Sequence, residues 1–142
     1  MRSGTSALSP SERSVLIVDD EPYVLSALKR SLLNQGFMLI TASSVPEALE
    51  ILRRQKFQVV VSDYNMPFMM GPEFLEKVKA LQPDAIRVVL TGASDLKTIQ
   101  SFIRTGQAMR YLLKPWDIDE VNATLRECFE MFAQSSRRSE EV

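Results

Sequence analysis

Several residues able to do polar chemistry stand directly after apolar runs. Asp19 and Asp20 follow "SVLIV" (14 to 18), Asp63 follows "FQVVVS" (57 to 62), Thr91 follows "IRVVL" (86 to 90) and Lys114 follows "MRYLL" (109 to 113). Each has an ordinary local explanation. Asp63 can close a strand through its own backbone, Asp20 can cap a helix, Thr91 beside Gly92 suits a turn, and Lys114 can be solvated. Brought to one place, they have a chemical explanation. Clustered carboxylates repel, and a hard divalent cation relieves the repulsion; magnesium takes octahedral oxygen from one or two carboxylates, water and substrate phosphate. Asp20 and Asp63 can ligate directly, Asp19 directly or through water, and a backbone carbonyl in the loop after Asp63 can add a further oxygen. Lys114 would offset the charge of an incoming phosphoryl group, and Thr91 could hydrogen-bond one of its oxygens. A carboxylate so placed can be a nucleophile and form an acyl phosphate, so the set suits phosphoryl transfer onto Asp63.

Composition narrows the alternatives. The chain has 142 residues and no histidine, which removes Ser-His and Cys-His nucleophile pairs, imidazole metal ligands and a phosphohistidine donor role. Carboxylates, lysine, hydroxyls and backbone must run any chemistry. Lys plus Arg total 17 against 18 Asp plus Glu, and neither Arg53-Arg54 nor Arg137-Arg138 makes a basic patch, so nothing favours nucleic acid or an anionic membrane. A single cysteine, Cys128, forms no internal disulfide and fits a reducing compartment. The N-terminal "MRSGTSALSPSER" lacks an apolar signal core, and no run approaches the ~20 apolar residues of a membrane span. The expectation is a cytoplasmic protein, neither secreted by a signal peptide nor membrane-spanning.

The residues that must position the acids are arranged regularly. "MLITA" (38 to 42) joins the other four runs as a strand candidate, and five segments of helical period separate or follow them. "PYVLSALKRSLLNQG" has Pro22 at a first helical position and stops at Gly36; "VPEALEILRRQ" repeats the pattern. "GPEFLEKVKALQP" carries acids early and lysines late, "SDLKTIQSFIRTG" opens with Ser94 as an expected N-cap, and "DIDEVNATLRECFEMFAQ" lines up Ile118, Val121, Leu125, Cys128, Phe129 and Phe132. Such alternation predicts parallel strands joined by right-handed crossovers, a doubly wound α/β sheet covered on both faces. Ligands in these sheets sit outside the carboxyl ends of the strands, where the acids, hydroxyl and lysine fall. The chain length and 45% hydrophobic content suit one domain, expected over 13–132. Residues 1–12 are expected to form a disordered tail, and 133–142 a polar tail or the start of a linker.

With these features in order, the chain resembles the receiver domain of bacterial two-component response regulators over about residues 14 to 131. "LIVDDEP" is similar to the family's acidic metal-binding turn, "VVSDYNMPFMMG" to its phosphoacceptor loop, "VVLTG" to its switch hydroxyl and "YLLKPW" to its lysine-proline step. The resemblance implies a five-stranded flavodoxin-like sheet of order 2-1-3-4-5 with five helices. It implies that Asp63 accepts a phosphoryl group from a histidine kinase or histidine phosphotransfer protein in a phosphorelay. Asp19, Asp20, Asp63 and the main-chain carbonyl of Asn65 would hold Mg2+, for which Mn2+ could substitute. Thr91 and Lys114 would contact the phosphoryl oxygens, Tyr111 would turn inward as Thr91 moves, and the Lys114-Pro115 bond would be cis, making Pro115 a cis-proline. The surface of the fourth helix, fifth strand and fifth helix would then switch.

The chain departs from the family pattern at Met70, where receivers often carry an aspartate before the glycine; Met66 and Met69 read as packing residues. "GQAMRYLLKPWD" resembles receivers attached to HD-GYP phosphodiesterase or transcription-activator outputs. With no such output in the chain, the reading is a stand-alone regulator or a fragment acting on an attached domain or separate partner. The extent of the apolar stripe to Phe132 suggests a phosphorylation-dependent homodimer or coupling to a linker. Two other functions compete. A haloacid-dehalogenase-like phosphohydrolase also uses an aspartyl nucleophile and magnesium, but needs an aspartate two residues later, where this chain has Asn65. A receiver-like interaction domain without phosphate chemistry is the other. The preferred reading is a switch rather than an enzyme.

Overall fold

The computed structural model describes residues 13 to 141, with side chains placed through residue 135, and within that span five strands alternate with five α-helices. The strands are β1 (Ser14–Val18), β2 (Met38–Ala42), β3 (Val59–Asp63), β4 (Ile86–Gly92) and β5 (Arg110–Lys114). The helices are α1 (Pro22–Ser31), α2 (Val45–Arg54), α3 (Gly71–Leu81), α4 (Leu96–Arg104) and α5 (Ile118–Glu141). All strands are parallel in the order β2-β1-β3-β4-β5, the doubly wound flavodoxin-like sheet expected. The expected tail, residues 1–12, lies outside the described residues.

Side-chain alternation along the central strands divides the interior into two layers. Leu16, Val18, Val60 and Val89 face one way and pack with Ala48, Leu52, Phe74, Leu75, Val78 and Ile99 of α2, α3 and α4. Val15, Ile17, Val59, Val61, Val88 and Leu90 face the other way and meet Leu25, Leu28, Val121, Leu125, Cys128 and Phe129 of α1 and α5. Because β1 and β3 are buried on both faces, they read in sequence as unbroken apolar runs rather than alternating ones. The stripe on α5 as far as Phe132 belongs to this second layer, where Phe132 is half-buried. The helix itself continues beyond Gln134, where the apolar periodicity ends, to Glu141.

Several boundaries differ from the periodicity. Phe57 and Gln58 precede β3 rather than open it, and Asp63 is the last residue of the strand instead of the first beyond it. β4 runs on to Gly92 and β5 to Lys114, because Thr91 pairs with Leu113 and Gly92 with Lys114. α1 ends at Ser31 instead of near Gly36, and Asn34 and Gly36 both take positive φ in the turn that follows. Ser94 is not an N-cap: it lies in a short 3-10 turn, 93–95, and Asp95 precedes α4 with no side-chain cap.

Two buried polar side chains tie loops to this frame. The Arg87 guanidinium, on the α2–α4 side of β4, donates to the carbonyls of Gly106 (2.9 Å), Gln107 (3.2 Å) and Ala85 (3.2 Å), so it holds the turn after α4. Burial lowers its pKa from the ordinary arginine value, and backbone carbonyls rather than a carboxylate satisfy it. Gln82, at the end of α3, accepts from the Phe57 N–H (2.9 Å) and donates to the carbonyls of Leu52 (2.9 Å) and Gln55 (2.8 Å). It therefore joins α3 to the end of α2 and to the entry of β3. Gln82→Leu leaves a buried N–H and two carbonyls short of a partner and is expected to cost about 2–4 kcal/mol. A denaturant midpoint equal to wild type would show that water replaces the amide.

Candidate functional site

Strand register brings the chemically distinctive residues to one rim. Val18 pairs with Ser62, so Asp19, the next residue, comes level with Asp63. Asp63 pairs with Leu90, which places Thr91 one residue farther along the neighbouring strand, and Lys114 pairs with Gly92 on the outer side. Asp20 and Glu21 lead directly into α1, whose first residue is Pro22.

Asp19 is fully buried and Asp63 nearly so, whereas Asp20 is exposed. A carboxylate oxygen from each of the three can be chosen so that all lie within 4.8 Å of one another. The Lys114 ammonium answers part of this charge: Nζ is 3.0 Å from Asp63 Oδ1, 3.2 Å from Asp19 Oδ2 and 3.9 Å from the exposed Glu21 Oε1. Asp19 Oδ1 accepts the Glu21 N–H at 2.9 Å, which fixes the carboxylate's orientation. Its other oxygen, Oδ2, is buried without a well-directed hydrogen bond, despite its nearness to Lys114.

The electrostatics follow from this crowding. Burial pushes the Asp63 pKa above the ordinary carboxylate value; the Lys114 hydrogen bond opposes the shift, and the charges of Asp19 and Asp20 reinforce it. For Lys114, burial alone would lower the pKa, but the hydrogen bond to Asp63 and the charges of Asp63 and Asp19 overcome it and leave the value raised. One ammonium among three carboxylates leaves the rim short of positive charge. The three converging acids, with the buried Asp19 Oδ2 partnered only by the shared Lys114 ammonium, form an oxygen donor set that could hold a hard divalent cation and fits magnesium.

The remaining residues singled out by sequence occupy distinct positions. Thr91 is buried, and its hydroxyl donates to the Gly92 carbonyl at 3.3 Å. Tyr111 is half-buried against the α2–α4 layer, and the Lys114-Pro115 peptide is cis. Asn65 is exposed in the bend after Asp63. Met66 is buried, while Met69 and Met70 are half-buried; Met70 precedes α3 without supplying a side-chain cap. Cys128 is buried, and desolvation pushes its thiol up to about 12, so it is no nucleophile.

Sequence reasoning missed two features of this loop. A Cβ built on Gly71 would stand 2.3 Å from the Asp63 carbonyl oxygen, so only glycine lets α3 begin so close to the strand end. Its clue was a glycine inside the first turn of a helix, where propensity disfavours it. Phe68 is fully exposed with φ of 72°, a left-handed conformation uncommon for a bulky residue, and nothing in its spacing marks it.

Comparisons with known proteins agree with the geometry. The response regulator receiver domain family matches residues 15 to 126. The hydrogenase transcriptional regulatory protein HoxA of Cupriavidus necator is 36% identical over 123 residues, 87% of this chain but 25% of that protein. The chain thus spans about a quarter of the length of such curated relatives. Among solved structures, one described as adenylate cyclase from Rhodopirellula baltica superposes with a TM-score of 0.85 at 31% identity, covering 92% of this chain and 96% of that one. The signal receiver domain of an HD domain-containing protein from Pseudomonas fluorescens Pf-5 gives 0.82 at 32% identity, covering 89% and 93%.

The raised Asp63 pKa has a thermodynamic consequence. The folded chain holds that proton more tightly than the unfolded one, so stability falls as pH rises from 3.8 through the folded value and stays lower above it. Asp63→Asn is therefore expected to raise the Tm of chelator-treated protein at pH 7, with the gap closing in acid. An unchanged or lowered Tm would mean that Lys114 outweighs burial.

Proposed function

The chain belongs to the response regulator receiver domain family, and on that premise we propose that Asp63 is its phosphoacceptor. The observation that carries this reading is the position of Asp63 at the centre of the site, within the carboxylate cluster and 3.0 Å from the Lys114 ammonium. Receiver domains are signalling switches, and the resting charge arrangement suits such a role. A phosphoryl group added to Asp63 changes the charge and contacts of a site linked to several strand ends.

In the proposed transfer, an Asp63 Oδ attacks the phosphorus of a phosphohistidine on a histidine kinase or phosphotransfer protein. The phosphorus–nitrogen bond breaks, and its electron pair returns to the imidazole. Lys114 exchanges part of its contact with Asp63 for a phosphoryl oxygen, and the Thr91 hydroxyl turns from the Gly92 carbonyl to another. Asp19, Asp20 and Asp63, with the Asn65 main-chain carbonyl, would hold Mg2+ or Mn2+, which supplies charge neutralisation at the transferring group. Burial of Asp19 and Thr91 limits water around the acyl phosphate, and the residue two after Asp63 is the amide Asn65, not the acid that a phosphohydrolase would place there.

Relatives include a transcriptional regulatory protein and an HD domain-containing protein, so an attached or separate output of either kind would read the surface of α4, β5 and α5. Tyr111 on β5 would turn inward as Thr91 moves. Among the described residues no helix is long and apolar enough to cross a membrane, and we place the domain in the cytoplasm with its kinase.

Acetyl phosphate with Mg2+ is expected to label the wild-type chain at one site, and Asp63→Asn is expected to lose the label. Equal labelling of the variant would sink the assignment.

A further inference from the structure

α4 is held to the sheet by less than its neighbours are. Ile99 is its one fully buried residue, whereas α3 buries Phe74, Leu75 and Val78 besides its first two residues. Half-buried Phe102 and Ile103 supply the rest of its apolar contact with that layer. An element with so little burial lies at the low end of local stability, so a single added contact is a large share of what fixes its position.

Phe102 makes such a contact with the residue next to the phosphoacceptor. The rings of Tyr64 and Phe102 lie 6.5 Å apart between centroids, tilted by 48°, within the range of attractive aromatic pairs. Tyr64 is not free to drift from Asp63. Its N–H donates to the Leu90 carbonyl at 2.9 Å, its carbonyl accepts the Gly71 N–H at 2.9 Å, and Gly71 is packed against the Asp63 carbonyl. These bonds fix the Tyr64 backbone beside Asp63 and so set where its ring stands against Phe102. At the far end of α4, the Arg87 contacts with the Gly106 and Gln107 carbonyls hold the turn. The other end leads back through the 3-10 turn to Gly92, where an added Cβ would meet nothing within 4 Å.

We propose that the Tyr64–Phe102 ring pair is a positioning contact that couples the Asp63 loop to α4, with the Arg87-held turn as the fixed end. This rests on Asp63 being the phosphoacceptor. By linkage, a change in the ring contact changes ligand affinity at Asp63 by the reciprocal amount.

Beryllofluoride with Mg2+ is the probe, titrated by calorimetry into wild type, Tyr64→Leu, Phe102→Leu, the double variant and Tyr64→Phe. Leucine keeps apolar bulk at each position, and melting curves verify folding. Each leucine variant should shift the affinity in the same direction by about 3- to 10-fold, the double variant should go no farther than the larger single shift, and Tyr64→Phe should stay near wild type. Hydrogen exchange of α4 should respond to the probe in wild type and respond less in the leucine variants. Wild-type affinity in both single variants, or shifts that add in the double, would overturn the coupling while leaving the phosphoacceptor reading in place. A wild type that binds no beryllofluoride would remove that reading, and the coupling with it.

Discussion

A lysine ammonium shared between carboxylates at the ends of two other strands is the contact on which the site depends. β5 and β3 are separated by β4, so their backbones stand about 10 Å apart. A lysine and an aspartate together span that gap, and Lys114 Nζ comes within 3.0 Å of Asp63 Oδ1. The same ammonium reaches Asp19, which follows the next strand in the sheet. Three strand ends are thereby tied through one charge. Their register, set by apolar pairs such as Val61 with Val88 and Leu90 with Leu112, delivers the charged atoms to within hydrogen-bonding distance.

That contact does not balance the rim. Asp63 still has a raised pKa beside Lys114, chiefly from burial, and a buried oxygen of Asp19 lacks a directed partner. Apolar packing supports the fold on both faces, so the structure can tolerate this local cost. Under the proposed function the cost has a use: the acidic rim would attract a divalent cation and a phosphoryl group, and their arrival would repartition the contacts of Lys114 and Thr91. Gly71 keeps the loop beside Asp63 tight against the strand end, so such changes are passed on to the adjoining residues instead of being lost in a slack loop.

Much of this was legible from sequence. The strands and helices were visible because buried strands are continuous apolar runs and the helices carry one apolar stripe each. Asp19, Asp63, Thr91 and Lys114 were visible because each interrupts such a run at its carboxyl end. What was not legible depends on contacts between distant segments. Periodicity could not tell that Asp63 and Lys114 belong inside their strands, since pairing with the neighbouring strand decides that. It could not separate Ser94 from Asp95 at the start of α4, where a 3-10 turn intervenes. The roles of Gln82 and Arg87 as ties to loop carbonyls, and the meeting of Tyr64 with Phe102, follow from tertiary placement alone. Of the methionines of "MPFMMG", Met66 and Met69 pack against the α2–α4 layer as expected, Met66 the more buried, while Met70 is half-buried before α3 and Phe68 faces solvent.

The central claim is that the charge deficit among Asp19, Asp20, Asp63 and Lys114 defines a single cation site. Calorimetric titration of Mg2+ into chelator-treated wild type, Asp19→Asn and Lys114→Met tests it most directly. The charge arrangement predicts one Mg2+ per wild-type chain, marked weakening in Asp19→Asn, and binding retained or tightened in Lys114→Met, where a competing cation has been removed. A wild-type chain that takes up no magnesium, or a Lys114→Met chain that loses it, would contradict the account.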